Sequence, residues 1–326
     1  MRTMGQVGND LYTGKTSFPF VGRRRLWFII AAILIVASAL VPLVKPIQLS
    51  IEFTGGSQFT VTGLSAPDQA PATDAVQSVV PGATVKVATV GTDGVRVETD
   101  QMSNDETQAV RAALADAYEV PSEEVTASFI GPVWGADVTR QSLWGLAIFL
   151  ALTFLILGLY FRTWKMSAAA MIGVVDVLVV TVGIYALCGF PISPAAVIGF
   201  LTVLAYSLYD TTVVFDKIRE NTREESSRTF GESVNLAVNQ TLIRSINTTV
   251  VAVLPTGAIL FIGAFALGAQ TLTDISLSIF VGTIVAAYST LFVAAPLYSL
   301  FRENEKPVRE HDDRVLAARE KAGIPA

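Results

Sequence analysis

The sequence predicts an α-helical polytopic membrane protein with six transmembrane helices and one small α+β domain outside the membrane. Of its 326 residues, 52% are hydrophobic and only 16% are charged, and the mean hydropathy is +0.53. Soluble domains have far more charge and less apolar content. Six apolar runs are each long enough to cross a hydrocarbon layer, which takes roughly 20 helical residues. They cover residues 26–44, 142–161, 167–190, 195–216, 245–267 and 276–300.

The first run also resembles a secretory signal, because Ala37-Ser38-Ala39 has the form of a signal-peptidase site after a basic stretch. The apolar run continues through Val44, which is longer than the apolar core of a usual signal peptide. We therefore expect the first span to be retained.

Residues 45–139 contain no spanning run and are long enough for one small domain. Strands are predicted at 47–61, 83–90, 95–99 and 124–130, with helices at 74–80 and 103–118. The order β-α-β-β-α-β is that of a ferredoxin-like sandwich. Ser103 and Glu106 have the spacing of a capping box, and Val110, Ala113, Leu114 and Ala117 would form the apolar face of the second helix.

Basic residues near the ends of the spans predict the orientation of the chain. Most of them fall on the side of the two termini: Arg23 to Arg25, Arg162, Lys165, Lys217, Arg219, Arg223, Arg228, Arg302 and Lys306. The segment 1–25, the loop 217–243 and the tail 301–326 are therefore expected in the cytoplasm, and the domain outside it. From residue 45 to residue 140 there are 13 acidic and 5 basic residues, so the outer domain is acidic.

The loop at 217–243 ends in an amphipathic stretch that is predicted to lie along the inner membrane surface. Its apolar residues are Val234, Leu236, Ala237, Val238 and Leu242. A solvated connector is the alternative. The charged tail at 301–326 is predicted to be a partly ordered helix or disordered.

Several kinds of chemistry are not expected. Cys188 is the only cysteine and His311 the only histidine, so one chain cannot build a disulfide framework or a Cys/His metal site. No nucleophile, phosphate loop or metal cluster accompanies the acids of the spans, which argues against an enzyme. We expect no cofactor and no nucleic-acid partner.

Two acids lie inside apolar runs, Asp176 near the middle of the third span and Asp210 about two-thirds along the fourth. An ionised acid facing lipid costs roughly 2.5 to 3.5 kcal/mol, so each should face protein or water. Arg244, at the start of the fifth span, would lie near Asp210 if the fourth and fifth spans pack antiparallel. The hypothesis is a proton relay; the alternative is a buried pair that only fixes helix packing.

The motif "EFTGG" follows the first span, with Glu52 and Phe53 before the paired glycines Gly55 and Gly56. Paired glycines within a strand indicate a bulge or a close backbone approach. A bulge at the base of the outer domain is the simpler interpretation.

The chain resembles the SecF family in motifs that follow one another in order from about Leu11 to Leu300. They are "LYTGKTSFPFVGRRRLWF", "EFTGG", "VVDV", "YSLYDTTVVFDKIREN" and "QTLIRSINTT". Two positions depart from the usual pattern, with Ala205 where Gly is frequent and Thr249 where Ser is common. Neither departure removes a titratable group.

The resemblance implies half of a resistance-nodulation-division type transporter, in which SecD and SecF each supply six spans and an outer domain. It implies use of the proton motive force, with protons as the coupling ion, to assist movement of exported polypeptides across the bacterial cytoplasmic membrane. Asp210 and Arg244 match the family's proton-coupling acid and its basic partner, and Asp176 matches an intramembrane acid of less certain duty. Glu52, Phe53, Gly55 and Gly56 match the family's glycine motif.

The partners implied by the resemblance are SecD, the SecYEG channel, the exported polypeptide and membrane lipid, with SecA and YidC/YajC as further candidates. Two other functions stay open at this point. One is a proton-driven exporter of small molecules or lipids from the same superfamily, acting as a homo-oligomer. The other is a static assembly subunit in which Asp176, Asp210 and Arg244 only hold helices together.

Overall fold

The computed structural model describes residues 4–223, 227–263 and 270–322. Six helical spans long and apolar enough to cross a membrane lie within these ranges, which confirms the predicted polytopic fold. In chain order the helices are α1 (Met4–Tyr12), α2 (Arg24–Val44), α3 (Ile51–Thr54), α4 (Ala70–Val79), α5 (Asn104–Ala117), α6 (Pro132–Phe161), α7 (Trp164–Cys188), α8 (Pro194–Asn221), α9 (Phe230–Phe261), α10 (Gln270–Ser289), α11 (Ala295–Arg302) and α12 (Lys306–Lys321).

The spans are α2, α6, α7, α8, α9 and a sixth that combines α10, a π-helical turn (Thr290–Ala294) and α11. The third and sixth spans are the most buried, and α2 and α6 are the most exposed. This arrangement is typical of a bundle whose outer helices present apolar side chains to lipid. The domain and the two termini lie at opposite ends of the bundle, because one span precedes the domain and five follow it.

The domain between α2 and α6, called here the sheet domain, contains β1 (Gly56–Val61), β2 (Val85–Val90), β3 (Gly94–Thr99) and β4 (Val125–Ile130). Its strands are antiparallel in the order β2-β3-β1-β4, and α4 and α5 cover one face. This is the predicted ferredoxin-like sandwich. The capping box is present in full: Ser103 Oγ accepts from the Glu106 amide, and Glu106 accepts from the Ser103 amide.

The first predicted strand is shorter than its pattern suggested. Residues 51–54 form the helical turn α3, and the strand begins only at Gly56. Gly55 has φ +75° and Gly56 has φ +143°, so the chain reverses at the glycines instead of passing through them as a strand. The predicted apolar face of α5 included Ala117, but Ala117 is exposed and Ala115 is buried. The buried face of α5 therefore ends at Ala115.

The amphipathic stretch before the fifth span is part of the same helix as that span, since α9 runs without a break from Phe230 to Phe261. Its apolar side packs against Leu11, Phe20 and Val21 of the amino-terminal segment. Its polar side binds that segment too, because the Phe18 amide donates to Asn239 Oδ1 at 2.8 Å. The stretch is therefore covered by the protein's own chain, and its place along the inner membrane surface stays a prediction.

The tail forms α12, which contacts α9 through the ion pair of Arg319 with Glu232 at 2.7 Å. Parts of four predicted segments fall outside the described residues. They are residues 1–3 of the amino-terminal segment, 224–226 of the loop, 264–267 of the fifth span and 323–326 of the tail.

Candidate functional site

Asp210 lies on α8 in the wall of a groove between α8, α9 and α10, called here the acid groove. The groove has a volume of about 550 Å³ and is open to the surface of the bundle. Its polar lining consists of Ser207, Asp210, Asn247, Thr248, Thr249, Thr256, Thr283 and Thr290, together with the phenol of Tyr206. An acid in this position faces hydroxyl groups and an open space, as expected for an intramembrane carboxyl that exchanges protons.

Asp210 holds one hydrogen bond to its neighbours on α9. Ser245 Oγ donates to Asp210 Oδ1 at 2.9 Å, and Ser245 itself is buried. The predicted antiparallel packing of the fourth and fifth spans is therefore present, and it places a hydroxyl rather than a guanidinium against the acid.

Arg244 is exposed and turns toward the residue next to the acid. Its Nη2 donates to Tyr209 Oη at 3.1 Å, and its guanidinium carbon lies 5.9 Å from the centre of the Tyr209 ring. Among the described residues, no ion pair within 4.0 Å joins Arg244 to Asp210. The structure brings the two groups to the same helix interface, with Arg244 held outside the groove by Tyr209.

Asp176 on α7 has a very different environment. Its side chain is only 1% exposed, and neither carboxyl oxygen has a hydrogen-bond partner within the ranges that the structure describes. Nearby, Ser289 Oγ donates to the Gly173 carbonyl at 3.0 Å. Asp176 does not line the acid groove, so the structure gives the two acids separate surroundings.

The sixth span connects these surroundings. Thr211, next to Asp210, and Thr290, at the start of the π-helical turn, have hydroxyl oxygens 3.0 Å apart. Ser289, which bonds to α7, precedes Thr290 directly. A single π-helical turn inside a helix is frequent at functional sites. This turn therefore lies between the helix that carries Asp176 and the helix that carries Asp210.

The glycine motif forms the joint between the sheet domain and the bundle. A Cβ atom on Gly56 would lie 2.4 Å from the Thr99 carbonyl oxygen, and one on Gly135 of α6 would lie 2.6 Å from the Phe53 carbonyl oxygen. Phe53 is buried with Tyr185 and Phe200 of the bundle. Glycines are required here because two backbones come into contact, and Glu52 lies in the same turn.

Two site residues were not predicted from the sequence. Ser245 follows Arg244 directly, and Tyr209 precedes Asp210 directly. In each case the charged neighbour was the more obvious candidate for the site. Their helical spacing offered a clue, because Ser245 shares a helix face with Thr248 and Thr249, which line the acid groove.

Comparisons with known families agree with these features. Residues 109–304 match the family model "Protein export membrane protein SecD/SecF, C-terminal", and residues 41–62 match the model "SecD/SecF GG Motif". The second match covers the joint described above, and the first covers both intramembrane acids.

Relatives extend over nearly the whole chain. A protein translocase subunit SecF from Streptomyces coelicolor is 39% identical over 323 residues, 98% of this chain and 86% of that protein. A protein translocase subunit SecDF from Thermus thermophilus is 27% identical over 93% of this chain and 41% of its own length.

Among solved structures, a crystal structure of SecDF, a translocon-associated membrane protein from Thermus, matches with a TM-score of 0.76 and 26% identity. The match covers 89% of this chain and 39% of that chain, so this protein spans well under half of the SecDF chain. With one family model across most of the bundle, another across the glycine joint and a relative of 39% identity, the chain belongs to the SecF family of the SecD/SecF membrane proteins.

Proposed function

We propose that this protein is a proton-coupled subunit of the Sec export machinery, which assists polypeptide movement across the cytoplasmic membrane together with SecD. The observation that carries the proposal is the position of Asp210, an acid in an open groove inside a bundle of apolar helices. It holds a single hydrogen bond to a hydroxyl and has a guanidinium within reach on the neighbouring helix.

Such an acid can alternate between two charge states. Loss of water favours the neutral carboxyl, and approach of a cation favours the carboxylate. A small rotation of Arg244 away from Tyr209 would bring the cation to the groove. The proton affinity of Asp210 would then follow the positions of α8 and α9, which is the property that couples proton movement to helix movement.

Arg244 and Asp176 have supporting roles in the proposed proton path. Arg244 is the cation that compensates ionised Asp210 in one state of the cycle. Asp176 is a second acid, closed to water in this conformation, that exchanges its proton when the π-helical turn at Thr290–Ala294 rearranges. No cofactor takes part in this proposal, and the proton is the coupling ion.

Location and partners follow from the same reasoning. The concentration of arginine and lysine at the terminal end of the bundle supports termini in the cytoplasm and a sheet domain outside it. SecD is proposed as the direct partner because a Thermus relative carries the name SecDF and this chain covers only 41% of it. SecYEG, the exported polypeptide, SecA and YidC/YajC are proposed as members of the same machinery, with lipid around the bundle.

The proton gradient supplies enough energy to change the conformation of the bundle. One elementary charge crossing 100 mV releases about 2.3 kcal/mol. Two conformations of a bundle that differ by a few kcal/mol can be interconverted by one or two such charges.

The test is export of a secretory protein into inverted membrane vesicles that hold a complete export machinery, measured with and without a proton gradient. Asp210→Asn is expected to abolish the stimulation by the gradient while the protein remains at normal abundance. Asp216→Asn is the matched control, because Asp216 lies on the same helix outside the groove, where its carboxylate accepts from Tyr160 at 2.9 Å.

The outcomes separate the three functions. Full stimulation in Asp210→Asn would overturn coupling through this residue. Loss of the protein itself in Asp210→Asn would support a static assembly role. Normal export, together with accumulation of small molecules or lipids in cells that lack the protein, would support the exporter function instead.

A further inference from the structure

The segment that leads from the first span into the sheet domain is bonded to the loop between α7 and α8. The Ser50 amide donates to the Ile192 carbonyl at 3.0 Å, and the Ile192 amide donates to the Gln48 carbonyl at 2.8 Å. Ser50 is only 1% exposed, and Ile192 is also buried. Buried main-chain bonds of this kind are costly to break, because each group would be left unpaired. Residues 48–53, called here the domain root, are therefore held against the loop that precedes α8.

The domain root also places an aromatic side chain of the glycine motif in the bundle. Phe53 belongs to one buried apolar cluster with Tyr185 near the end of α7, Ile192 of the loop, and Ala196 and Phe200 on the first two turns of α8. The rings of Tyr185 and Phe200 pack edge to face, with their centres 5.1 Å apart. Close-packed interiors of this kind transmit a displacement to their neighbours. The domain root therefore seats the sheet domain on the bundle beside the start of α8.

Ser193, which follows Ile192 directly, joins the loop to two spans. It is the N-cap residue of α8, and its Oγ accepts from the Ala196 amide at 3.1 Å. The same Oγ donates at 2.7 Å to Oδ2 of Asp274, which lies in α10. Ser193 is only 3% exposed. One buried hydroxyl thus fixes the loop, the first turn of α8 and α10 relative to one another.

From this point α8 runs without a break to the acid groove. It covers Pro194–Asn221, so Asp210 lies 16 residues, or about 24 Å, along the helix from Pro194. The helix α10 follows it closely, since a Cβ atom on Gly282 would lie 2.8 Å from the Val203 side chain. Both helices line the groove, and helices in such close contact shift as packed units. A displacement at the domain root therefore reaches the walls of the acid groove.

We propose that the domain root positions α8 and α10, so that movement of the sheet domain changes the width of the acid groove. Phe53 and Ser193 are positioning residues in this role. The glycine motif contributes the chain reversal at Gly55 and Gly56, which lets Phe53 enter the bundle while β1 begins in the sheet domain. This mechanical link needs no proton movement, and only its consequence at Asp210 rests on the proposed function.

The test measures the acid groove while the domain root is altered, with the full chain in lipid nanodiscs. In a Cys188→Ala background, Thr248→Cys reports on the groove through its rate of reaction with a water-soluble maleimide. Phe53→Ala is expected to raise this rate at least about tenfold, because it removes a whole aromatic side chain from the buried cluster. Ser193→Ala should raise it about two- to tenfold, the value of one hydrogen bond.

The bond between Ser193 and Asp274 is tested from its other side as well. Asp274→Ala should raise the rate by about the same factor as Ser193→Ala, and the double variant should raise it no further, because both remove one bond. Asp274→Asn should keep the original rate, since the amide oxygen still accepts from Ser193. Should Phe53→Ala fail to fold, these variants decide, because each alters only polar atoms at the start of α8.

Two controls separate positioning from general loosening. Phe129→Ala makes the same change as Phe53→Ala on an exposed residue of the same domain and should leave the rate at Thr248→Cys unchanged. Ser167→Cys, buried at the end of α7 that lies away from the domain root, should react slowly in every variant. Equal acceleration at both cysteines would show a structural role only and overturn the link. An unchanged rate at Thr248→Cys in both Phe53→Ala and Ser193→Ala would also overturn it.

Export into inverted vesicles distinguishes this inference from the proposed function. If Asp210→Asn exports normally while Phe53→Ala still opens the groove, the proposed function fails and the link stands. If Asp210→Asn loses gradient-driven export while no variant of the domain root alters the groove, the link is overturned and the proposed function stands. With both correct, Ser193→Ala should lose part of the stimulation by the gradient and keep the export that needs no gradient.

Discussion

Asp176 and Asp210 are the same residue type on neighbouring spans, yet they have opposite surroundings. Asp176 is enclosed by α7 and the sixth span, with no hydrogen-bond donor to either oxygen among the described residues. Asp210 faces an open groove, accepts from Ser245 and lies one residue from the tyrosine that holds Arg244.

The difference teaches that an acid within a span is not by itself a proton site. Proton exchange needs water or a relay of hydroxyl groups, and coupling needs a partner whose distance can change. Asp210 faces an open groove and lies beside the Arg244–Tyr209 pair, whereas Asp176 is enclosed. If this distinction is correct, equal substitutions at the two acids should have unequal effects.

The largest expected difference is in gradient-driven export. Asp210→Asn should reduce export with a gradient to the level without one, because it removes the only carboxyl among the described residues that line the acid groove. Asp176→Asn should slow export several-fold and leave part of the stimulation in place. Export into inverted vesicles at matched protein abundance measures both. A complete loss in Asp176→Asn with full activity in Asp210→Asn would reverse the assignment.

Access to water is the next test. In a Cys188→Ala background, Thr248→Cys in the acid groove should react with a water-soluble maleimide at least about tenfold faster than Thr181→Cys, because thiols react as thiolates in water. Thr248 is exposed in the groove, and Thr181 is buried on α7. Labelling of vesicles followed by mass spectrometry gives the rates. Equal rates would mean that the groove holds lipid rather than water.

Leucine substitutions at the two acids should have opposite effects on protein stability: the change at Asp176 should stabilise the protein and the change at Asp210 should not. Leucine has nearly the shape of aspartate, so Asp176→Leu removes a buried polar group without a donor and should stabilise the protein by about 1 to 3 kcal/mol. Asp210→Leu should destabilise the protein by about 0.5 to 1.5 kcal/mol, because it breaks the hydrogen bond from the buried Ser245 hydroxyl. Thermal unfolding in one detergent compares them. A lower melting temperature for Asp176→Leu would indicate a bonding partner that the present conformation lacks.

A smaller effect is expected at the hydroxyl beside Asp210. Ser245→Ala removes the only side-chain donor to that carboxyl in the described structure and should slow gradient-driven export by about two- to tenfold, the value of one hydrogen bond. Thr249→Ala is the matched control, because its hydroxyl donates to the Ser245 carbonyl within the helix. Equal slowing of export in the two variants would show that loss of the hydrogen bond to Asp210 is not the cause.

Much of this architecture could be predicted from local patterns. The six spans follow from apolar length, and the sandwich follows from strand and helix periods punctuated by turns. The capping box at Ser103 and Glu106 is determined by four consecutive residues. The placement of Asp210 and Arg244 on adjacent helices needed only the expectation that consecutive spans pack antiparallel.

The rest depends on contacts between distant parts of the chain. The amphipathic start of α9 is buried because Asn235 and Asn239 bind the amino-terminal segment, more than 200 residues away in sequence. The turn at Ile51–Thr54 replaces a strand because Gly135 of α6 lies against it. Arg244 binds Tyr209 rather than Asp210 because the orientation of side chains across a helix interface is set by tertiary packing.

The smallest expected effect concerns an acid outside the membrane, Glu98. Burial raises the pKa of its carboxyl above the ordinary value of 4.5, the charges of Glu52 and Asp274 raise it further, and Arg96 and Lys86 oppose them. The seated domain therefore keeps a proton on Glu98 at pH values where a solvated glutamate has lost it. That contribution is complete below the ordinary pKa and is lost as pH rises through the raised one.

Seating of the sheet domain should thus weaken as the pH rises above the ordinary value of 4.5 and through the raised pKa of Glu98, and Glu98 lines a cavity of about 240 Å³ beside Gly55. The distance between spin labels on Cys188 and on Ala66→Cys, both at exposed positions, should lengthen slightly as the pH rises. Glu98→Gln should abolish the change, because glutamine is uncharged at every pH, while Glu123→Gln on an exposed loop should leave it intact. A pH response that survives Glu98→Gln would assign the proton to another acid.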